Sequence, residues 1–495
     1  MSDKLDARWT KLLNAGRRKS DSKGERKVQD DTETRTEIER DYDRILFSTP
    51  VRRLADKTQV FPLDKNDSVR TRLTHSHEVS NLARSIGTAL AFNHKIAGES
   101  DSARRDIPAL LAAIGLVHDL GNPPFGHQGE AAMQSWFSDR RSTVLDDTAG
   151  SLTDHQKNDF LKFEGNAQAF RLVTRLQLLN DDFGLDLTYA TLSAMMKYPT
   201  SSLLADSQGN IAAVKKHGFF SSEQAIAECV QKEAGLTLGQ RHPFAYVMEA
   251  CDDIAYVVLD VEDAVKKGLA SCSDLFAYLD HHTSGDALTA TVLEKSRDKH
   301  RVYRSTIEPA LSPAELNDVS MQLFRVYAIG AMVKAATKAF LDSSNYESFL
   351  SGTQPKSLMA LSEGDSLRKA LKEFAFKHAY TNRAVLELEL EGYNVIRNLM
   401  EIFWEAISDI DDPKKPSSRR RHPFTRYVYG RISENYRRVY ESTATKGTTR
   451  YEECVLLTDM ISGMTDSFAI DLFNELAPLK KQYDVEKLNI KNCAK

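Results

Sequence analysis

Apolar residues in this chain recur mainly at spacings of three and four, the period of a helix that buries one face. The clearest case begins at Asp106-Ile107-Pro108, a cap followed by a proline suited to a first turn, and continues as ALLAAIGLVHD. That run is apolar nearly all round, so it predicts a buried helix. Gly121 and the Pro123-Pro124 pair then stop it. A second helix is predicted from about Phe244 to Lys267, with Ala250, Ile254, Val257, Val258, Val261 and Val265 as its apolar stripe. The interval 199–223 breaks the period and reads as a loop or small excursion. From about residue 285 onward, long amphipathic patterns alternate with polar breaks at Ser312-Pro313 and Asp411–Ser418. No segment carries a persuasive strand period, and no internal repeat is visible. The expected fold class is mainly α. Residues 1–40 mix both charge signs and carry few large apolar groups, so a loosely ordered arm is expected there.

Composition narrows the class without changing that picture. A chain of 495 residues exceeds the usual size of one hydrophobic core. With 41% hydrophobic and 27% charged residues it has ample material for a large globular fold. A formal net charge of −4 argues against a protein that coats nucleic acid over its whole surface, though local basic patches are compatible with it. The five cysteines, Cys229, Cys251, Cys272, Cys454 and Cys493, include no CxxC pair, which fits a reducing cytoplasm better than a disulfide framework or zinc knuckle. The opening MSDKLDARWTKLL has no apolar stretch of signal-peptide length, and the apolar run Ala109–Val117 is too short to span a bilayer. A soluble cytoplasmic protein with no membrane association is expected.

Against this background a set of imidazoles and carboxylates points to chemistry. His75 lies in RTRLTHSHEV, His118-Asp119 in LVHDLGNPPFGH, and Asp252 and Asp253 in MEACDDIAY. Two imidazoles with two carboxylates can hold one divalent ion, and such a mixed nitrogen and oxygen set suits Mn, Fe, Ni or Mg better than structural zinc. His118 and Asp119 are adjacent, about 100° apart on a helix, yet can converge where the chain turns at Gly121. A lone buried histidine is more often a hydrogen-bonded core residue. This pair, however, ends a buried helix, where an unpartnered aspartate is costly.

The residues also resemble a family. HDLGNPPFGHQGE (118–130) is similar to the signature of the bacterial dGTP triphosphohydrolases of the HD superfamily. So are TPVRRLADKTQVFPL (49–63), RTRLTHSHEV (70–79), FEGNAQAFRL (163–172), EACDDIAYVVLDVEDA (249–264) and ISGMTDSFA (461–469). The matching blocks run in the family's order from about residue 40 to 470. The resemblance implies an HD-type helical core over 41–285 and a C-terminal helical region over 286–495 that completes the nucleotide site and makes oligomer contacts.

It further implies His75, His118, Asp119 and one of the Asp252/Asp253 pair as metal ligands. Asp252 is preferred, because it resembles the family pattern and shares a helix face with Tyr256 and Asp260. The implied reaction is metal-dependent hydrolysis of dGTP at the α-phosphorus to deoxyguanosine and triphosphate, with Mg2+ or Mn2+ as cofactor. His127, as acid or base, and its partner Glu130 are the implied proton-transfer pair. A triphosphate requires cationic and amide donors, for which Arg72, Lys197, Tyr198, Asn122 and Asn166 are candidates. Gln59 resembles a family residue near the sugar, and Tyr256 with Val60 can form the wall that excludes a ribose hydroxyl. Asn122 departs from superfamily members of broader dNTP specificity, which carry a histidine there. Glu389 is either an acceptor for guanine's N1 and N2 donors or an exposed helix carboxylate.

The strongest basic run, Lys414 to His422 with Arg426 beyond it, reads first as a solvated loop. It also suits single-stranded DNA as an effector, or a neighbouring subunit's triphosphate site. The resemblance implies a homo-oligomer, tetramer or hexamer. Two rival functions are a different HD phosphohydrolase, such as a broad dNTPase or a monophosphatase, and a non-catalytic nucleic-acid-binding protein using residues 414–426.

Overall fold

The computed structural model describes residues 2–24, 34–61, 63, 69–146, 152–177, 181–306, 311–412, 415, 417–443 and 449–493. It is 72% helical and holds no strand among the described residues, so the mainly α reading holds. The helices that matter for function are α1 (Ser2–Leu12), α2 (Glu37–Leu46), α3 (Arg72–Thr88), α4 (Asp101–Val117), α5 (Gly126–Asp139), α6 (Gly165–Arg171), α7 (Pro243–Lys266), α8 (Pro313–Leu341), α9 (Asp365–Ala375), α10 (Arg383–Ser408), α11 (Thr449–Ser462) and α12 (Asp466–Cys493).

The centre is a layered pack of α3, α4 and α7. Helix α4 is buried over most of its circumference, as its apolar sequence requires, with Leu110, Leu111, Ala113, Ile114, Leu116 and Val117 inside. It starts earlier than the sequence signal placed it. Ser100 accepts the Ala103 N–H and so supplies the cap, leaving Pro108 in the helix interior. Helices α3 and α4 approach very closely at Gly115, where a Cβ would lie 2.7 Å from the Ser80 Cα. The Ser80 hydroxyl uses that closeness to donate to the Ala112 carbonyl at 2.8 Å. Helix α7 buries the predicted stripe (Ala250, Ile254, Val257, Val258, Val261 and Val265) and presents Asp252 and Tyr256 at its margin.

The N-terminal stretch departs from expectation. Trp9 and Leu12 lie in the core, and Trp9 packs against Phe244 at a ring-centroid distance of 5.2 Å. His242 donates through Nε2 to the Leu12 carbonyl at 3.0 Å, and the Arg17 guanidinium is buried against Asp41. The order of this arm therefore comes from a few anchors that meet partners far along the chain. Residues 25–33 of the arm lie outside the described residues.

The C-terminal helices close over the same core rather than forming a separate body. A buried ion cluster ties α6 to α11: Arg171 donates to Asp459 and Glu223, all three being inaccessible to solvent. Helix α10 packs along α5, and α12 packs on α10. The interval 199–223 is an irregular excursion as predicted, with short 3-10 turns at Ala212–Val214 and Ser221–Glu223. No helix of the described residues is long and apolar enough to cross a membrane.

Candidate metal centre and nucleotide cavity

The end of α4, the first turn of α3 and the middle of α7 meet at one point. His75 from α3 and Asp252 from α7 approach to 3.2 Å, His75 Nε2 to the carboxylate. His118, just past the end of α4, places its Nε2 3.7 Å from the same carboxylate. The ring centroids of His75 and His118 are 5.4 Å apart. His75, His118 and Asp252 each offer a ligand atom within 4.8 Å of the others, a set that can hold a metal ion.

The state of His118 tests whether a cation fits. Its Nδ1 donates to the Gly115 carbonyl at 2.7 Å, which puts the proton there and leaves a lone pair on Nε2. That Nε2 is buried and has no hydrogen-bond partner among the described residues. A buried acceptor aimed at a carboxylate is unfavourable unless a positive centre lies between them. The residues present fit a divalent cation.

Asp119 is turned partly away from this trio. Its Oδ2 takes the Arg72 guanidinium at 2.6 Å and its Oδ1 the Asn122 amide at 2.6 Å. The Oδ1 is nonetheless 3.5 Å from His118 Nε2. Burial alone would raise the Asp119 pKa, but the adjacent His118 imidazole and the Arg72 guanidinium hold it below the usual carboxylate range. Asp252 is likewise held low against the effect of burial, with Lys197, whose Nζ lies 3.2 Å away, as the main cause.

These groups form one end of a cavity of about 500 Å3, a size typical of a small-molecule site. Arg72, Lys197, Lys216 and Lys372 put four cations on its wall. Tyr256 and Tyr380 stack at 6.0 Å on another side, and the Tyr380 hydroxyl donates to Asp260 beneath. Burial raises Asp260 to about 7. His127 opens onto the cavity and is held through Nδ1 by Glu130 at 2.9 Å. Glu130 is buried and also accepts the Gly165 N–H at 2.9 Å. The hydrogen bond that His127 donates to Glu130 is the chief cause of a raised His127 pKa, and the pairing in turn holds Glu130 low against its burial.

Residues 72–178 match the HD domain family. The chain is 36% identical over 484 residues to a deoxyguanosinetriphosphate triphosphohydrolase-like protein of Listeria monocytogenes, covering 95% of this chain and 99% of the relative. It is 32% identical over 489 residues to a deoxyguanosinetriphosphate triphosphohydrolase of Serratia proteamaculans, covering 89% and 93%. The chain belongs to the deoxyguanosinetriphosphate triphosphohydrolase family.

For this member of the triphosphohydrolase family, the structure brings most of the sequence-derived residues to the one cavity. Gln59, Val60, Arg72, His75, His118, Asp119, Asn122, His127, Asn166, Lys197, Tyr198, Asp252, Tyr256 and Glu389 all line it. Glu130 and Asp260 do not; each sits behind a lining residue, His127 and Tyr380 respectively. Asp253, set aside on phase, also lines the cavity, and burial raises it to about 6.

Several lining residues of the triphosphohydrolase site went unread in the sequence. Lys216, paired with Glu164 at 2.8 Å, comes from the irregular 199–223 excursion, where a lone lysine carries no signal. Lys372 and Tyr380 come from C-terminal patterns that read only as amphipathic helix. The basic run is split by the fold: Arg420 is buried, donates to the Ala406 carbonyl at 2.9 Å and lies 3.5 Å over the Tyr429 ring. Lys415, Arg419, Arg421 and Arg426 are exposed, and Lys414 lies outside the described residues. Near this run Tyr429 and Tyr436 pack inside, whereas Tyr427 is exposed.

Proposed function

We propose that the protein is a divalent-metal-dependent phosphohydrolase that splits deoxynucleoside triphosphates at the α-phosphorus. The favoured substrate is dGTP, and the products are deoxyguanosine and triphosphate. The observation that carries this reading is the His118 Nε2, without a hydrogen-bond partner among the described residues and gathered with His75 and Asp252 at a cavity walled by four cations. The printed names of the Listeria and Serratia relatives support the same substrate.

His75, His118 and Asp252 would hold the cation, with Asp119 as fourth ligand and Mg2+ or Mn2+ as the ion. Such an ion polarises a phosphoryl oxygen and lowers the pKa of a water. The chain's own groups do the rest. Arg72 is anchored by Asp119 and Lys197 by Asp252, so both present charge to a triphosphate without reorganising. Lys216 adds a third cation, oriented by Glu164.

Cleavage of the bond between the α-phosphorus and the nucleoside O5′ needs a proton on the departing oxygen. His127, whose hydrogen bond to Glu130 favours the charged ring, supplies it from Nε2 while Glu130 keeps Nδ1–H in place. The stacked Tyr256–Tyr380 pair, fixed from below by Asp260, forms with Val60 a wall against a ribose 2′-hydroxyl. Glu389 is oriented by Gln128 at 3.3 Å and can accept from guanine N1 and N2. The reading includes a homo-oligomer, and a single-stranded DNA effector on the exposed Arg419, Arg421 and Arg426.

The direct test incubates the purified protein with each of the four dNTPs in Mg2+ and in Mn2+ and resolves the products. Deoxynucleoside plus triphosphate, fastest with dGTP, is expected. Release of orthophosphate or pyrophosphate instead would mean a different scissile bond and a different enzyme.

A further inference from the structure

The block ISGMTDSFA has no role in the site as drawn, yet one of its side chains reaches the segment that carries His127. Asp466, the first residue of α12, is buried. Its carboxylate accepts the Phe125 N–H at 3.0 Å, the Thr58 N–H at 2.9 Å and the Thr58 hydroxyl. An aspartate at a helix start ordinarily caps its own helix. Here Thr465 lies ahead of α12 and takes the Phe468 and Ala469 N–H groups, through its hydroxyl and its carbonyl respectively, so the Asp466 carboxylate is given over to residues more than 300 positions upstream.

What it holds is a strained point. Phe125 has φ 60° and ψ 19°, the left-handed conformation that a non-glycine residue without a local polar side chain adopts at a cost. Such a conformation persists only when its surroundings over-determine it. Two contacts do so. The Phe125 N–H is taken by Asp466, and the Phe125 ring lies against Gly392 of α10, where a Cβ would fall 2.4 Å from the ring carbon. Phe125 immediately precedes α5 and lies two residues before His127, so its backbone sets where that helix and its histidine begin.

Thr58, the other partner of Asp466, immediately precedes Gln59 and Val60 on the cavity wall. One residue earlier, the buried Lys57 ammonium donates to the Asn122 carbonyl at 2.5 Å and the Ser462 carbonyl at 2.8 Å. The end of α11 and the start of α12 thereby grip both stretches, 57–60 and 122–127, that face the nucleotide cavity.

We propose that Asp466 is a positioning residue for catalysis: it locks Phe125 in the left-handed conformation and so aims His127 into the cavity. Its catalytic consequence rests on the proposed phosphohydrolase reading; its structural consequence does not. The test compares Asp466→Ala, the similarly shaped Asp466→Leu, which has no acceptor for the Phe125 N–H, and Asp466→Ala combined with Phe125→Asn, since asparagine tolerates the left-handed region by itself.

With dGTP as substrate, Asp466→Ala is expected to lower kcat roughly 100-fold while KM changes little, the signature of a misplaced group rather than lost binding. Adding Phe125→Asn is expected to recover at least about tenfold of that loss, a rescue that a generally loosened fold would not show. Wild-type kcat in Asp466→Ala, or no rescue in the double variant, overturns the proposal. A crystal structure of Asp466→Leu supplies the second arm and stays informative even if no dNTP is hydrolysed by the parent protein or if the alanine variant does not fold. Residue 125 leaving the left-handed region with the His127–Glu130 contact broken supports the proposal; an unmoved Phe125 and His127 refutes it.

Discussion

His127 and His118 show how one residue type is given two tasks by its neighbours. At His118 the backbone carbonyl of Gly115 takes the Nδ1 proton, and Nε2 is left as a buried lone pair. At His127 a buried carboxylate, Glu130, favours the charged ring and raises its pKa. The first is poised to bind a cation and the second to give up a proton. His127→Ala is therefore expected to lower kcat by about 10²–10⁴-fold with little change in KM. The sign of the pH dependence follows from the raised pKa: the acid form is present below it, so wild-type kcat declines as pH rises through it. Steady-state profiles of the variant should lack that alkaline decline, and a decline that persists in His127→Ala would assign the proton to another group. For specificity, Glu389→Gln is expected to cut the preference for dGTP over dATP by roughly one to two orders of magnitude, as loss of a charged acceptor would. An unchanged ratio would remove Glu389 from base recognition.

At the scale of elements, the periodicity of α4 and α7 was readable because both helices bury continuous apolar faces. Their ends were less so. Ser100 caps α4 six residues ahead of the expected cap Asp106, and Pro108, which looked like a first-turn residue, is interior. Two further devices lie wholly beyond pattern reading, since their partners are distant in sequence. One is the Arg171, Asp459 and Glu223 cluster between α6 and α11. Arg171→Met would leave the buried Asp459 without its cation and Glu223 with Arg175 alone at 3.2 Å, and is expected to destabilise by about 3–5 kcal/mol, measured as a lowered urea midpoint. The other is His242, whose ring both accepts the Phe244 N–H at 3.1 Å and donates to Leu12. Burial lowers its pKa from 6.5 to about 4. Between those values the unfolded chain binds a proton that the folded chain refuses, so this residue's contribution falls as pH drops from 6.5 toward 4. The loss reaches roughly 3 kcal/mol, and His242→Asn should show a correspondingly shallower decline in stability over that window.

Across the whole molecule, the cavity is assembled from segments spread from Thr58 to Glu389 and braced by Asp466. The residues legible in the sequence were those whose type is informative in a short motif: His75, the His118-Asp119 pair, Asp252, and His127 with Glu130. Lys216, Lys372 and Tyr380 were not, because a lysine in a loop or a tyrosine on an amphipathic helix acquires meaning only when the fold delivers it to a wall already carrying charge. The N-terminal arm failed in the opposite sense, its mixed charges concealing the Trp9, Leu12 and Arg17 anchors. Long-range closure also explains why the basic run cannot be judged as a unit: the fold sequesters Arg420 and exposes Arg419, Arg421 and Arg426. Alanine at those three exposed positions is expected to weaken binding of single-stranded DNA and reduce its salt dependence without altering dGTP turnover in the absence of DNA.

The claim on which the rest depends is that His75, His118 and Asp252 share one cation, with Asp119 completing the set. Anomalous X-ray diffraction at the manganese edge from crystals grown with Mn2+ tests it most directly. A single strong peak within bonding distance of His75 Nε2, His118 Nε2 and an Asp252 carboxylate oxygen is the predicted result. A fully occupied manganese elsewhere, with these side chains left as they are and no peak between them, would contradict it.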